Sequence, residues 1–246
     1  ERIIDCSEKL ALSLSTRGLV NIQYLIYNNE LYVIEVNPRA SRTVPYISKV
    51  TGVPMVDIAS KVMLGARLNE LGYGTGLYKT PPYTAVKVPV FSFEKLNDAN
   101  SYLGPEMKST GEVLGIGKTV EEALFKGLTS AGMIVDSNSA HRHGVFISVD
   151  THDQLEIVSL AKKLCDLKFK IYATPETAQT IRNLGIDVEN VENIGSDAFR
   201  LMESGKISYI VYTGALLDST VADYILLHKR ALQLSIPCFT SLDTAN

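Results

Sequence analysis

The second half of the chain alternates strand-like and helix-like segments, and this alternation limits the folds that it can adopt. The strand-like segments are short and rich in Val, Ile, Tyr and Phe, and longer segments with helical spacing of apolar residues follow them. Strands are predicted at residues 145–149, 170–173, 186–188, 209–212 and 236–239, and helices at 153–166, 177–184, 197–203 and 220–234. Such alternation favours a mostly parallel sheet covered by helices on both faces. Residues 139–246 are therefore predicted to form a Rossmann-like α/β domain.

Two loops of this predicted domain are candidates for ligand binding. In parallel sheets, ligands gather at the carboxyl ends of the strands, where helix N-termini direct backbone N–H groups toward anions. The loops at this edge are Thr174-Pro175-Glu176-Thr177 and Thr213-Gly214-Ala215. We expect them to line any ligand site of the domain.

A predicted β-hairpin near the start of the chain carries a second candidate site. Residues 21–27 and 31–37 alternate like strands, with turn residues between them. A two-residue loop at 28–29 would pair Gln23 with Ile34 and mix polar and apolar side chains on both faces. A three-residue loop would pair Gln23 with Glu35 and would form one wholly apolar face, from Ile22, Tyr24, Ile26, Tyr32, Ile34 and Val36. Because a one-residue slip exchanges the faces, the three-residue loop is predicted.

The run from Glu35 to Arg42 indicates phosphoryl transfer. In the predicted register, Gln23, Glu35 and Asn37 share the face opposite the apolar one. Their carboxylate and amide oxygens suit a hard cation such as Mg²⁺. Arg39 and Arg42 follow closely and can bind phosphate or carboxylate through charge-assisted hydrogen bonds. Metal and arginine groups together are typical of phosphoryl transfer. On spacing alone, the alternative interpretation is a polar strand end whose arginines are solvated.

Composition narrows the functional classes. The 246 residues are 46% hydrophobic and 21% charged, which is enough apolar content for two cores. The net charge of -3, without a long run of one sign, gives little support for nucleic-acid or membrane partners. Cys6, Cys165 and Cys238 are scattered and predicted to be buried thiols in the reducing cytoplasm. The chain begins with Glu1, and we expect it to be part of a longer one.

The remaining segments are predicted to be mostly helical. A helix precedes the hairpin, and the Pro and Gly positions favour two short helices at 45–52 and 54–64. The Gly-rich segment 72–76 is interpreted as a linker, because it lacks the strand and helix that flank phosphate loops. Thr119-Val120-Glu121-Glu122 is a capping-box pattern that predicts a helix through Ala131, ended by Gly132.

Two stretches of the chain resemble a known family. The residues from Gln23 to Lys49 are similar to the end of an ATP-grasp domain, more narrowly to the second ATP-grasp unit of carbamoyl phosphate synthetase large subunits. The sequence LGPEMKSTGEVLG at 103–115 resembles the same subunits. The resemblance covers essentially the whole chain. It implies the C-terminal part of an α+β ATP-grasp domain at 1–67, a helical connecting and assembly region at 68–138, and a methylglyoxal-synthase-like allosteric domain at 139–246.

The resemblance implies a ligase that phosphorylates carbamate with ATP to form carbamoyl phosphate, for pyrimidine and arginine synthesis. Gln23 and Glu35 would bind the nucleotide and, with Asn37, hold Mg²⁺ or Mn²⁺. Arg39 and Arg42 would orient carbamate and stabilise charge on the phosphoryl group. The implied partners are a small glutaminase subunit, bicarbonate and further subunits of an oligomer. Because the adenine-binding residues would precede Glu1, the chain alone is expected to be inactive.

The resemblance also implies an allosteric effector site. Thr174, Thr177 and Thr213 would hold a nucleotide or phosphoribosyl effector. Some members place phosphate-binding lysines where Gln154 and Asn193 stand, and Glu176 adds a negative charge to the loop. These departures should weaken binding of a dianionic phosphate, so a degenerate or differently tuned pocket stays open. Val88 stands where ornithine-responsive members have a glutamate, which argues against that kind of ornithine site.

Two other functions remain as alternatives. The chain could belong to another ATP-grasp carboxylate ligase, although the stretch 104–115 argues against this. It could also be a regulatory and assembly module with no catalytic share.

Overall fold

The computed structural model describes residues 1–92, 106–133, 144–214 and 221–246, without the side chain of residue 221. Residues 103–105 of the sequence motif, Ala215 of the second candidate loop and the predicted boundary at 138/139 lie outside the described residues. The chain divides into two compact units. The first comprises Glu1–Lys87 and Leu114–Lys126, and the second comprises Val88–Val113 and Gly127–Asn246.

The first unit contains a hairpin and short helices. Its elements up to residue 63 are α1 (Arg2–Ser13), β1 (Asn21–Tyr27), β2 (Glu30–Asn37), α2 (Thr43–Thr51) and α3 (Met55–Met63). Helix α2 ends at Gly52, whose φ of 71° lies in the left-handed region that glycine adopts readily. Pro54 immediately precedes α3, where its missing N–H costs no helical hydrogen bond. The two helices predicted near these breakers are confirmed, with α2 beginning two residues earlier.

The hairpin turn differs from the prediction. The loop contains two residues, Asn28 and Asn29, with φ of 47° and 63°, a conformation that asparagine tolerates. The predicted three-residue loop is therefore wrong. A β-bulge after Gln23 compensates, because Ile34 is inserted on β2 between the partners of Gln23 and Tyr24. Gln23 consequently pairs with Glu35, as predicted.

The bulge also changes the faces of the hairpin. Near the turn, Tyr24 pairs with Val33 and Leu25 pairs with Tyr32, so the single apolar face predicted for this region does not form. Large apolar side chains at this end are 42–63% exposed; they are Leu25, Ile26, Tyr27, Tyr32, Val33 and Ile34. Helix α1 holds the turn through the Arg2 guanidinium, which donates to the Asn29 backbone oxygen at 2.6 Å and to its Oδ1 at 2.9 Å.

The middle of the chain contains a small sheet in addition to the predicted helix. Strands β3 (Thr84–Val90) and β4 (Gly111–Gly117) pair with each other, and α4 (Val120–Ser130) follows. The capping-box prediction is confirmed: Thr119 Oγ1 accepts a hydrogen bond from the Glu122 backbone N–H at 3.2 Å. Glu122 Oε2 accepts from the Lys118 backbone N–H at 2.8 Å. Residues 72–76 form neither helix nor strand.

The second unit contains a five-stranded parallel sheet. The strands are β5 (Gly144–Ser148), β6 (Lys170–Ala173), β7 (Val188–Asn190), β8 (Ile207–Tyr212) and β9 (Cys238–Phe239). The helices are α5 (Ile157–Asp166), α6 (Pro175–Arg182), α7 (Phe199–Glu203), α8 (Val221–Gln233) and α9 (Leu242–Ala245). The strand order is β7-β6-β5-β8-β9, and every pairing is parallel. The Rossmann-like fold prediction is confirmed.

The core of the second unit lies on both faces of this sheet. Val145 and Ile147 pack into one apolar cluster, whereas Phe146 packs into the other. Each of the three is at most 1% exposed. Successive residues of a strand point to opposite faces, so a strand with helices on both sides is apolar throughout. None of the helices in the described part is long and apolar enough to cross a membrane.

Candidate functional site

The open end of the hairpin brings together the three oxygen-bearing residues predicted there. Gln23 lies directly opposite Glu35, and side chains of directly paired residues share a face. Asn37, two residues after Glu35 on β2, donates from Nδ2 to Glu35 Oε1 at 2.9 Å. Gln23 and Glu35 are exposed, and Asn37 is half-buried. The amide and carboxylate oxygens are therefore accessible to a ligand at this end.

The loop after β2 carries the two arginines. Its first turn is tight, because the Arg39 backbone N–H donates to the Asn37 backbone oxygen at 2.8 Å. The Arg39 guanidinium is exposed and donates from Nη1 to the Ala40 backbone oxygen at 3.1 Å. Arg42 is also exposed and occupies the N-cap position of α2. The N-terminus of a helix carries partial positive charge, so this loop offers a favourable environment for an anion.

The donor set fits a metal that arrives with a nucleotide. One carboxylate and two amide groups meet here, and no three His, Cys, Asp or Glu side chains cluster within the described residues. Mg²⁺ commonly binds through one or two carboxylates and takes its other ligands from water and substrate phosphates. The hairpin residues suit that mode better than an all-protein metal cage.

The three candidate threonines of the second unit lie at the carboxyl ends of the strands of its sheet. Thr174 follows β6 and Thr213 follows β8, and both flank the end of β5. The Thr174 backbone N–H donates to the Ile147 oxygen at 3.2 Å, and the Thr213 backbone N–H donates to the Ser148 oxygen at 3.1 Å. This is where the strand order reverses, the usual ligand-binding edge of such sheets.

All three threonine hydroxyls have hydrogen-bond partners within the chain, and two of them accept from backbone N–H groups. Thr177 is fully buried, and its Oγ1 accepts from the Val149 backbone N–H at 3.1 Å. Thr213 Oγ1 accepts from the Asp150 backbone N–H at 2.9 Å. Both therefore hold the loop that follows β5. Thr174 is half-buried, and its Oγ1 donates to Ser148 Oγ at 3.2 Å.

Gln154 and Asn193, which depart from the family pattern, also make hydrogen bonds within the unit. Gln154 donates from Nε2 to the Val149 oxygen at 3.1 Å and accepts from the Thr180 hydroxyl at 2.7 Å. Asn193 Oδ1 accepts from the Ser196 backbone N–H at 3.0 Å. These side chains stabilise loops, so a ligand phosphate would have to compete with existing hydrogen bonds.

Sequence reasoning missed two serines near these sites. Ser148 ends β5 and bonds to Thr174, a position that could have been found because it ends a strand at the ligand-binding edge. Ser41 lies between the two arginines, and its Oγ is buried without a hydrogen-bond partner among the described residues. No sequence signal predicts an unsatisfied hydroxyl, because burial of one atom depends on packing.

Comparison with protein families matches both ends of the chain. Residues 1–71 match the family described as "Carbamoyl-phosphate synthase L chain, ATP binding domain". Residues 156–240 match the "MGS-like domain" family. The carbamoyl phosphate synthase large chains of Clostridium perfringens (strain 13 / Type A) and Clostridium botulinum (strain Kyoto / Type A2) are each 45% identical over 99% of this chain. Nearly the whole chain is thus similar to part of the carbamoyl phosphate synthase large chains.

The family resemblance predicted from the sequence is thus confirmed, whereas the predicted domain boundaries at 67 and 138 remain predictions. The chain spans 23% of the length of those two relatives. The crystal structure of methylglyoxal synthase from Elizabethkingia anophelis NUHP1 matches 43% of the chain and 75% of its own length, at 15% identity. Its TM-score is 0.34, which is too low to define the fold.

Proposed function

We propose that a carbamoyl phosphate synthase large chain carrying this sequence phosphorylates carbamate with ATP at the hairpin site. The observation that supports the proposal is the pairing of Gln23 with Glu35, together with the hydrogen bond from Asn37 to Glu35. This arrangement lies within the part of the chain that matches an ATP-binding domain. The arginine-bearing loop follows it directly.

In this proposal, each side chain of the site has a defined role. The Glu35 carboxylate and the amide oxygens of Gln23 and Asn37 would hold Mg²⁺ or Mn²⁺, which neutralises charge on the ATP phosphates. Arg39 and Arg42 would orient the carbamate carboxylate and stabilise negative charge on the transferred phosphoryl group. Because such transfer needs little covalent assistance from the protein, positioning and charge compensation supply most of the rate.

The proposed partners rest on the family alone. We propose that a small glutaminase subunit supplies ammonia, that bicarbonate is the carbon source, and that the enzyme is oligomeric. The product would serve pyrimidine and arginine synthesis.

Conservative substitutions of Glu35 and Asn37 test the proposed metal site. In a full-length large chain carrying this sequence, Glu35→Gln and Asn37→Asp should each reduce carbamoyl phosphate formation about 100-fold or more. Glu35→Gln removes the carboxylate that would hold the metal, and Asn37→Asp replaces the amide that donates to Glu35 with a second carboxylate that repels it. ATP formation from carbamoyl phosphate and MgADP, the reverse of the proposed step, should fall in parallel.

The matched control is Glu30→Gln, at the turn end of the same hairpin. It should retain normal rates, and thermal unfolding should be nearly unchanged in Glu30→Gln and Glu35→Gln because both residues are exposed. Near-normal rates for Glu35→Gln would contradict the metal assignment.

We further propose that the threonine loops of the second unit bind a nucleotide or phosphoribosyl effector. The MGS-like match and the position of the loops at the ligand-binding edge support this. The acidic Glu176 and the local hydrogen bonds of Gln154 and Asn193 weigh against tight binding of a dianionic phosphate.

A thermal-shift screen of this chain tests the effector proposal. Uridine monophosphate, inosine monophosphate or phosphoribosyl pyrophosphate should raise the unfolding midpoint, because a ligand that binds only the folded state stabilises it. Thr174→Val removes the half-buried hydroxyl without a large change in shape and should reduce the shift, whereas Thr75→Val, exposed in the first unit, should not. No shift with any of these ligands would favour a degenerate pocket.

A further inference from the structure

The Ser41 hydroxyl is buried and unpaired as far as the described residues extend. Its Oγ exposes less than 1 Å² and makes no hydrogen bond within the part of the chain that the structure describes. Buried hydroxyl groups normally have a partner, because their desolvation is otherwise uncompensated. A serine just before a helix commonly caps it, yet here the backbone oxygen of Ser41 accepts the Val44 N–H at 3.1 Å while the hydroxyl does not cap.

The position of Ser41 links this hydroxyl to the hairpin site. It lies between Arg39 and Arg42, four residues after Asn37, in the short loop that leads into α2. The tight turn after Asn37 keeps this loop at the open end of the hairpin. Its neighbours in this loop, Arg39 and Arg42, are the residues to which we assign binding of an anionic substrate.

We infer that the Ser41 hydroxyl donates a hydrogen bond to a carboxylate oxygen of carbamate, beside the two guanidinium groups. The inference rests on the proposed carbamate-phosphorylating function. A serine hydroxyl reorients by rotation about a single side-chain bond, so it can turn toward a substrate oxygen when one is bound. A hydrogen bond to an anion is charge-assisted and stronger than one between neutral groups.

Thr16 provides a matched control for the burial of an unpartnered hydroxyl. Its Oγ1 is also buried without a hydrogen-bond partner among the described residues, but it lies in the loop after α1 and outside the arginine-bearing loop. An unsatisfied hydroxyl by itself therefore does not indicate a substrate contact. Only its placement among substrate-binding groups gives Ser41 that role.

The experiment measures the reverse reaction in a full-length large chain carrying this sequence. Ser41→Ala should raise the KM for carbamoyl phosphate about tenfold, the usual effect of losing a hydrogen bond to a charged group, and should leave the KM for MgADP unchanged. Its unfolding midpoint should not fall, because the hydroxyl makes no hydrogen bond within the described part of the chain. Ser41→Thr, which keeps a hydroxyl, should restore a KM near the wild-type value. Thr16→Val should change neither KM.

The outcomes separate this inference from the proposed function. If Glu35→Gln abolishes activity while Ser41→Ala leaves the KM for carbamoyl phosphate unchanged, the role of Ser41 is wrong and the proposed function stands. A lowered midpoint with both KM values unchanged would show a purely structural hydroxyl and would overturn the inference in the same way. If Glu35→Gln retains normal activity, the proposed function itself fails.

Discussion

At the scale of single residues, His228 of α8 is a partly buried titratable group of the second unit. Its imidazole stacks on the Tyr224 ring, with centroids 5.2 Å apart and planes inclined by 10°. Burial lowers the pKa of His228, because desolvation disfavours the charged imidazolium. For the same reason, burial raises the pKa of the Cys238 thiol to about 12.

The lowered pKa of His228 predicts that acid destabilises the fold. Below about pH 6.5, the unfolded chain binds a proton that the folded chain resists, so the free energy of unfolding falls as the pH drops toward 5, by at most about 1.4 kcal/mol per pH unit from this group. His228→Gln should make this dependence shallower in urea titrations at pH 7 and pH 5. The exposed His152, changed to Gln, should leave the slope as in the wild type. An unchanged slope in His228→Gln would contradict the prediction.

At the scale of secondary-structure elements, the two-residue turn and the β-bulge together set the register of the hairpin. Sequence reasoning rejected the two-residue turn because regular pairing would place Gln23 opposite Ile34. The structure keeps that turn and inserts Ile34 as a bulge, so that Gln23 still pairs with Glu35. The pairing of Gln23 with Glu35 was thus predicted correctly, but from a three-residue loop and a single apolar face that the structure does not form near the turn.

The N-terminus of α4 gives a prediction at the same scale. Thr119→Ala removes the hydroxyl that accepts the Glu122 backbone N–H, and it should lower the free energy of unfolding by about 1 kcal/mol. Chemical denaturation of this chain measures the change. Ser130→Ala, at the other end of α4, is the control and should have a smaller effect. Equal effects of the two substitutions would show that the cap contributes little.

At the scale of the whole molecule, apolar burial is uneven between the two units. The largest fully buried side chains lie in the five-stranded sheet and its helices, among them Phe146, Ile147, Ile157 and Ile210. By contrast, neither β1 nor β2 contains a buried residue. A two-stranded hairpin has marginal stability in water without such packing.

This difference predicts unequal protection of backbone amides. In hydrogen exchange followed by mass spectrometry on this chain, peptides from β5, β6 and β8 should exchange slowest, because they open only with the core of their unit. Peptides from β1 and β2 should exchange markedly faster. Ile147→Ala should accelerate exchange in the sheet of the second unit, whereas Ile34→Ala, at an exposed position, should not. Equal protection of the hairpin and sheet amides from exchange would contradict the predicted difference between the units.

The sequence by itself determined the strand and helix alternation of the second unit, the cap of α4 and the oxygen and arginine groups at the end of β2, because each depends on residues close together in the chain. Tertiary structure alone decided the bulge at Ile34, the burial of the Ser41 hydroxyl and the engagement of Thr177 with Val149, 28 residues away. These features arise when groups that are distant in the sequence come into contact and exclude water. Local sequence patterns do not specify which groups those will be.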